Sequence, residues 1–365
     1  MNIECTVEKL KNAVAIADRM TGKNLSLPSL HSILLTASGK TLKIRATNLN
    51  VGVEIEIPAN VAAEGSVLIG GTILNNVCSH LDGSEQVTLT LVNENISVQT
   101  KKTKTLIKCV PNEEFPTLPA VEGESFSIPG EALADGIRSV YFCAATTDIK
   151  PEIASIFIYS DSGMLNFVAT DSFRLAEKKL KVKDAPDIPK LLIPYKNVAD
   201  VLRVTDALQG DVRIAFNKNQ LSISGGGIYF TTRLIDGAFP DYQLILPKEE
   251  LTKVVMMKQE LLNTLRLSTV FSDKFFQVLF IAQPGNKQVS LESKNSDVGS
   301  VETSIDAVIE GEGIEVTFNL KYFLDVFQAL PGDSVSISFT KPNKPILVRS
   351  VQDNSFLYLL VPTNR

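Results

Sequence analysis

The chain has 365 residues, a length that predicts two or three domains. Its hydrophobic fraction of 44% and charged fraction of 21% are those of a globular protein and exclude a disordered or fibrous one. The 36 Lys and Arg against 41 Asp and Glu give a net charge of -5. This excludes a protein that binds nucleic acid through its overall positive charge. Any contact with nucleic acid must therefore depend on local positive charge.

One sequence pattern occurs three times at an almost constant spacing. It reads VLIGGTILNNVC from Val67, LLIPYKNVADVL from Leu191 and VTFNLKYFLDVF from Val316, with steps of 124 and 125 residues. A second pattern begins at Ala46, Ala169 and Ser293, with steps of 123 and 124 residues. Because this period is much longer than the roughly 20–50 residues of stacked repeats, each copy is a whole domain. The sequence therefore predicts three similar domains, at residues 1–121, 122–249 and 250–365.

The apolar spacing predicts two helices in each domain, each with one apolar face. In chain order, the six helices surround Leu10–Ala17, Leu74–Leu81, Leu133–Tyr141, Val198–Leu202, Leu261–Leu265 and Phe323–Leu330. Between them apolar and polar residues alternate, as at 87–91, 212–216 and 335–339, and this predicts about eight antiparallel strands in each domain. The fold class is therefore α+β. We expect Asn319 to cap the last helix and Pro194 to stand in the first turn of the fourth.

The apolar runs of the chain are of strand length, and its beginning carries no signal-peptide pattern. We therefore expect a cytoplasmic protein with no membrane contact. Four cysteines, Cys5, Cys78, Cys109 and Cys143, are far apart and form no C-x-x-C motif. In a chain of this length they predict reduced, packed thiols and no metal site.

The sequence offers little that could carry catalysis. It has two histidines, His31 and His80, and none of the G-x-S-x-G, H-E-x-x-H or P-loop motifs in a suitable context. The glycines at 225–227 lie between two predicted strands and favour a turn over a phosphate-binding loop. We therefore expect no catalytic residue and no cofactor. Two alternatives stay open. One is an enzyme built from repeated α+β domains, which would need a cluster of His, Cys or paired acids in an interdomain cleft. The other is a scaffold or adhesion protein built from repeats.

Four segments resemble one bacterial protein family. They are LPSLHSILL from Leu27, VATDSFRLA from Val168, DGAFPDYQLILP from Asp236 and the C-terminal LYLLVPTNR. In these segments, in length and in its triple repeat, the chain resembles the beta subunits of bacterial DNA polymerase III, the processivity sliding clamps. The resemblance implies a DNA-clamp fold in which two three-domain copies join head to tail into a ring. It further implies that helices line the hole, that duplex DNA passes through it without sequence specificity, and that the ring tethers the replicative polymerase.

The resemblance implies DNA contacts from the helices and from loops at the rim of the hole. The residues that correspond are Arg19, Lys23, Asn24, Thr72, Arg138, Thr147, Lys150, Lys196, Arg203 and Arg266. Several basic or aromatic loop residues of the family are replaced here, by Asn24, Pro151 and Glu152. Lys23 and Lys150 are the expected substitutes.

The resemblance also implies a hydrophobic cleft between the second and third domains that binds short peptides of partner proteins. Its residues would be Ile153, Thr170, Phe173, Arg174, Leu175, Pro240, Leu244, Ile245, Ile346, Leu359, Val361, Pro362 and Thr363. The implied partners are the DNA polymerase III alpha subunit, other polymerases, an ATP-driven clamp loader and repair proteins with clamp-binding motifs. Phe173 replaces a smaller polar ring that is common in the family, and the tail from Thr363 to Arg365 is more polar than usual.

A homodimer interface completes the set of implied sites. It would join the edge strand Lys104–Val110 of the first domain to the third domain near Val270 and Phe271. Thr105 and Ile107 are expected to face one side of that strand, and Phe271 is expected to supply an aromatic anchor.

Overall fold

A computed structural model describes residues 1–22, 27–111, 115–182, 188–247, 249–341 and 344–363. Within these ranges the chain forms six α-helices, two in each predicted domain. They are α1 (Val7–Arg19), α2 (Gly71–Ser79), α3 (Gly130–Arg138), α4 (Tyr195–Ala207), α5 (Lys258–Val270) and α6 (Leu320–Asp325).

The same ranges hold 25 strands, nine in the first predicted domain and eight in each of the others. Those of the first are β1 (Asn2–Thr6), β2 (Ser32–Ser38), β3 (Thr41–Thr47), β4 (Val51–Pro58), β5 (Asn60–Ala63), β6 (Gly65–Gly70), β7 (Gln86–Val92), β8 (Asn95–Gln99) and β9 (Lys104–Val110). Those of the second are β10 (Glu124–Pro129), β11 (Ser155–Asp161), β12 (Met164–Thr170), β13 (Arg174–Lys181), β14 (Leu191–Pro194), β15 (Asp211–Phe216), β16 (Gln220–Gly225) and β17 (Ile228–Arg233). Those of the third are β18 (Thr252–Met257), β19 (Gln277–Ala282), β20 (Gln288–Asn295), β21 (Gly299–Gly311), β22 (Ile314–Asn319), β23 (Ser334–Phe339), β24 (Ile346–Ser350) and β25 (Phe356–Leu360).

The α+β fold class is confirmed, and the predicted elements differ from the structure mainly at their ends. Asn319 caps α6 as expected, because its Oδ1 accepts hydrogen bonds from the backbone N–H groups of Lys321 and Tyr322. The prediction for Pro194 is wrong by one residue: it ends β14, and α4 begins after it. Helix α3 stops before Val140, whose N–H turns to the carbonyl of Ile137 and tightens the chain into a 3-10 turn.

The chain divides into two compact units. Unit 1 comprises residues 1–134 and 196–234, and unit 2 comprises 135–195 and 235–365. Unit 1 contains a 13-stranded antiparallel sheet in the order β10-β15-β16-β17-β4-β3-β2-β6-β9-β8-β7-β1-β5. Unit 2 contains a 12-stranded antiparallel sheet in the order β14-β11-β12-β13-β25-β24-β23-β18-β21-β20-β19-β22. The strands of the second predicted domain are therefore shared between the two sheets.

In each sheet one strand pair joins neighbouring predicted domains. In unit 1, β17 pairs with β4, and in unit 2, β13 pairs with β25. We call the second pairing the seam; in its register Leu175 lies opposite Leu359 and Glu177 opposite Leu357. Backbone hydrogen bonds across the seam bring the segment ATDSFRL next to the C-terminal strand. The two segments are far apart in sequence, so the sequence alone does not predict this contact.

Within the described ranges the four cysteines are free thiols, and no group of three or more His, Cys, Asp or Glu residues could hold a metal ion. Cys5, Cys78 and Cys143 are buried, and burial is the main cause that raises the pKa of Cys5 and of Cys78 to about 12. At neutral pH both groups are therefore protonated and unreactive. None of the described helices is long and apolar enough to cross a membrane.

Candidate functional site

A tight turn between β12 and β13 presents an aromatic side chain at the surface of unit 2. We call residues Thr170–Arg174 the Phe173 turn. The Oδ1 atom of Asp171 accepts hydrogen bonds of 3.0 Å from the N–H groups of Phe173 and Arg174. Ser172 adopts a left-handed conformation with φ of 78°, and its N–H donates to Thr170 Oγ1 over 3.1 Å. The turn leaves Phe173 59% exposed, although its ring is apolar.

The Phe173 ring rests on a second aromatic ring. Its centroid lies 6.5 Å from that of Tyr322 in a stacked arrangement, and the Arg174 guanidinium lies 4.4 Å from the Tyr322 centroid. Arg174 is held by two carboxylates, with a 2.9 Å hydrogen bond to Asp171 and a further bond to Asp325. Burial, the largest influence, lowers the pKa of Arg174, but hydrogen bonding to Asp325 and charge interactions with its neighbours outweigh it and keep the guanidinium charged. The Phe173 and Tyr322 rings and the Arg174 guanidinium thus support one another at this surface.

Beneath the seam lies a buried apolar cluster that we call the cleft floor. Its members are Phe157, Val168, Leu175, Leu192, Tyr242, Leu347, Leu357 and Leu359. Val361 and Phe239 are partly buried and pack against it. The cleft floor gives unit 2 an apolar base next to the Phe173 turn.

A 3-10 turn, Tyr242–Ile245, forms a second border of this region, and we call it the rim turn. Its first residue, Tyr242, is 4% exposed in the cleft floor, whereas Leu244 and Ile245 are 75% and 51% exposed. The Tyr242 hydroxyl donates to the Glu177 carboxylate and lies 2.7 Å from the Tyr159 hydroxyl. Burial, together with the hydrogen bond to Glu177, raises the pKa of Tyr242 well above its ordinary value. The rim turn is therefore anchored by one ring and presents two apolar side chains to solvent.

The C-terminal segment runs along the Phe173 turn. The N–H of Val361 donates to the carbonyl of Phe173 over 2.9 Å, and the N–H of Thr363 donates to the carbonyl of Thr317 over 2.9 Å. Val361, Pro362 and Thr363 are all partly exposed. These bonds fix residues 361–363 between the Phe173 turn and β22, so these three residues form part of the same surface.

In unit 1, helices α1 and α4 border a groove of about 830 Å³. Lys9 and Arg19 of α1 and Arg203 of α4 line it with positive charge, while Glu56 and Asp206 line it with negative charge. Arg19 is exposed, and Arg203 forms a 3.0 Å ion pair with Asp200. The groove is therefore only weakly basic, in keeping with the acidic chain.

The edge strand β9 departs from its expected orientation. Thr105 and Ile107, expected to face one side as part of the dimer interface, face the core side: Thr105 is partly buried and Ile107 is 4% exposed, whereas Leu106 on the other face is 60% exposed. Lys104 and Lys108 flank Leu106 on the outer face because side chains alternate along a strand. From Lys104 to Lys108, β9 pairs with β8 alone, since its pairing with β6 begins at Cys109. This leaves one backbone edge open.

The comparisons with known proteins cover the whole chain. Family models of the DNA polymerase III beta subunit match in chain order: the N-terminal domain at residues 1–119, the central domain at 127–241 and the C-terminal domain at 243–364. The chain belongs to the DNA polymerase III beta subunit family. It is 26% identical to the beta sliding clamp of Synechocystis sp. over 99% of both chains, and 26% identical to that of Vibrio cholerae over 93% of both.

Solved structures of the same family share the fold. The DNA polymerase III beta subunit of Thermotoga maritima has a TM-score of 0.94 at 24% identity and covers 100% of this chain and 99% of its own. The sliding clamp of Pseudomonas aeruginosa bound to griselimycin has a TM-score of 0.94 at 23% identity over 100% of both chains. With the curated relatives, these findings identify the chain as a sliding clamp with the α+β clamp fold.

Twelve of the thirteen cleft residues implied by the family fall into three groups. Thr170, Leu175, Ile346 and Leu359 are buried at or beside the seam, whereas Phe173, Pro240, Leu244 and Ile245 are exposed around it. Arg174, Val361, Pro362 and Thr363 are partly exposed beside the Phe173 turn. Ile153 is 8% exposed in a separate turn, where its carbonyl accepts from the N–H of Ala145.

Five residues of this region were missed by sequence reasoning: Tyr159, Glu177, Tyr242, Tyr322 and Asp325. One available signal was the Asn319 cap, which places Tyr322 in the first turn of α6. Tyr159 of β11 and Glu177 of β13 reach this region through strand pairing, whereas Tyr242 lies in the rim turn and Asp325 at the end of α6.

The expected DNA contacts are distributed over both units. Arg19, Thr72, Lys196 and Arg203 belong to unit 1, and Arg138, Thr147, Lys150 and Arg266 belong to unit 2. Most are exposed, but the Thr72 hydroxyl lies 3.3 Å from Asp18 Oδ1, and Arg138 is 3.6 Å from Asp135. Lys23 and Asn24 lie outside the described residues.

Proposed function

We propose that two copies of this clamp join head to tail into a ring around duplex DNA and tether DNA polymerase III to it. Three like domains in each copy, at 1–121, 122–249 and 250–365, give six in the ring. Copies that join head to tail form a closed ring when the rotation between them brings the last copy back to the first, and an open filament when it does not. Retention on DNA then depends on closure, which suits a chain with a net charge of -5.

The helices supply the inner surface of the proposed ring. Helix α1 buries Val7, Leu10, Ala13, Val14 and Ala17 along one face, which leaves its other face exposed. Arg19, Lys196 and Arg266 stand exposed on α1, α4 and α5 and would meet the phosphates. A small number of cations suits sliding, because each phosphate contact adds salt-dependent affinity.

The region around the seam is the proposed partner cleft. The observation that carries this assignment is the 59% exposure of Phe173, stacked on Tyr322 beside the buried cleft floor. An exposed aromatic ring on a preformed apolar base fits a short peptide with aliphatic and aromatic anchors. The proposed partners are the polymerase III alpha subunit, other polymerases, the clamp loader and repair proteins with such peptides.

The clamp is proposed to work without catalysis or a bound cofactor, in the cytoplasm at the nucleoid. Opening of the ring would use ATP bound by the clamp loader. In the described part of the cleft, the Arg174 guanidinium is paired with the carboxylates of Asp171 and Asp325, so none of these three groups is arranged as a nucleophile with its base.

Electron microscopy of the purified chain tests the ring directly. Negatively stained particles at micromolar concentration are expected to be closed rings with six similar lobes and a hole wider than a DNA duplex. Open, single-copy particles at that concentration would contradict the proposed assembly.

A further inference from the structure

A carboxylate occupies a core position beside the cleft. In the registers of β13 with its two neighbours, Glu177 lies opposite Val168 and opposite Leu357, both members of the cleft floor. Glu177 shares a face of β13 with Leu175, two residues away, and is only 2% exposed. An apolar residue would suit this position better, because burying a carboxylate is costly unless its oxygens are paired.

The Glu177 carboxylate is paired on both oxygens. Oε2 accepts from the Tyr242 hydroxyl, and Oε1 lies 3.2 Å from Lys179 Nζ. The Tyr242 hydroxyl lies 2.7 Å from that of Tyr159, which accepts a 3.4 Å bond from Gln243 Nε2. Since Tyr242 and Gln243 are the first two residues of the rim turn, a hydrogen-bond chain connects β13 to the rim turn.

We propose that Glu177 is a positioning residue of the partner cleft: through Tyr242 and Tyr159 it fixes the rim turn so that Leu244 and Ile245 meet the apolar anchors of a bound peptide. This inference rests on the proposed function of the cleft. The peptide would have an aliphatic or aromatic residue, rather than a charged one, against the rim turn, because both exposed side chains there are apolar.

The buried Glu177 carboxylate is expected to orient the rim turn more than it stabilises the fold. Replacing a buried ionic group with a well-packed apolar one is often neutral or stabilising. After Glu177→Leu the partners left behind can still be satisfied: Lys179 is 44% exposed to water, and the Tyr242 hydroxyl can donate to that of Tyr159, 2.7 Å away. The melting temperature should therefore change little, while peptide binding weakens because the link from β13 to the rim turn is lost. A loss of affinity without a loss of stability distinguishes positioning from general support of the fold.

The test uses fluorescence anisotropy with the full-length chain and a fluorescein-labelled pentapeptide that ends in Leu-Phe. Glu177→Leu and Tyr242→Phe should each raise Kd about fivefold to tenfold, the effect of losing one hydrogen bond of ordinary strength, because the bond acts on the peptide only through the rim turn. Glu177→Gln keeps an acceptor for Tyr242 and should stay within about twofold of the unmodified chain. Asn197→Leu is the matched control, because Asn197 is also buried and hydrogen-bonded, to Thr232 in unit 1, and should not change Kd.

A second readout follows the rim turn itself. The sequence has no tryptophan, so Leu244→Trp introduces a single reporter on that turn. Adding Glu177→Leu should lower the anisotropy of its emission in the absence of peptide. Weaker peptide binding with unchanged tryptophan anisotropy would assign Glu177 a merely structural role and overturn the proposal.

The outcomes separate this inference from the proposed function. If Phe173→Ala weakens binding but Glu177→Leu and Tyr242→Phe do not, the cleft stands and the positioning role fails. If Phe173→Ala leaves Kd unchanged, the cleft assignment fails, and the inference fails with it. Should Glu177→Leu not fold, Tyr242→Phe decides alone, since it removes one hydroxyl and keeps the ring.

Discussion

Phe173→Ala combined with removal of residues 362–365 is expected to abolish binding of the Leu-Phe pentapeptide. The substitution removes the exposed ring that stacks on Tyr322, and the truncation removes the backbone bond from Thr363 to Thr317 that fixes the tail. Aromatic anchors of this kind contribute about 2 kcal/mol or more to an interface, so Phe173→Ala alone should raise Kd at least about thirtyfold. Titration calorimetry measures both variants.

Val351→Ala provides the control for this experiment. Val351 is 52% exposed in the same unit and lies just beyond β24, at the opposite end of that strand from Ile346. It should bind the peptide like the unmodified chain, and all variants should keep the ring assembly. An unchanged Kd for the doubly altered chain would refute the cleft.

Val270→Lys is expected to convert the dimer into monomers. In the proposed head-to-tail contact, Val270, 61% exposed at the end of α5, meets the edge of β9, where Lys104 and Lys108 flank Leu106. A lysine there removes apolar contact and places like charges together, a combination that costs several kcal/mol in an interface. Sedimentation at micromolar concentration should show a single copy of 39.8 kDa instead of two.

Phe271→Ala should act in the same direction but less strongly, because Phe271 is already half-buried in its own copy. Val308→Lys is the matched control: Val308 is 62% exposed, on the part of β21 that pairs with β18, and the dimer should persist. Dimers that survive both Val270→Lys and Phe271→Ala would place the interface elsewhere.

Features that depend on local spacing could be predicted from the sequence. The threefold repeat and the apolar stripes gave two helices in each domain, and the Asn319 cap was visible because a cap acts within three residues. The ends of α3 and α6 were harder, since apolar residues such as Val140 and Leu330 continue the stripe beyond the last α-helical turn. Val140 and Leu330 are buried like the helical residues before them, but the chain there has left the α-helix and forms 3-10 turns.

Orientation and long-range pairing could not be predicted in the same way. Strand β9 carries apolar residues on both faces, so alternation alone did not decide between Leu106 and Ile107. Glu177 looks like an ordinary surface carboxylate in RLAEKKLK, and only its register with Val168 and Leu357 places it in the core. Tyr322 joins Phe173 across almost half of the chain, a contact that no local pattern contains.

Retention on circular DNA tests the central claim most directly. The clamp is loaded on a nicked circular plasmid by its clamp loader with ATP, the loader is removed, and gel filtration at moderate salt separates bound from free protein before and after a single restriction cut. A clamp held by closure should remain on the circle and leave once the DNA is cut, because a linear duplex has ends to slide from. Equal loss from the intact and the cut plasmid, or equal retention on both, would contradict the account.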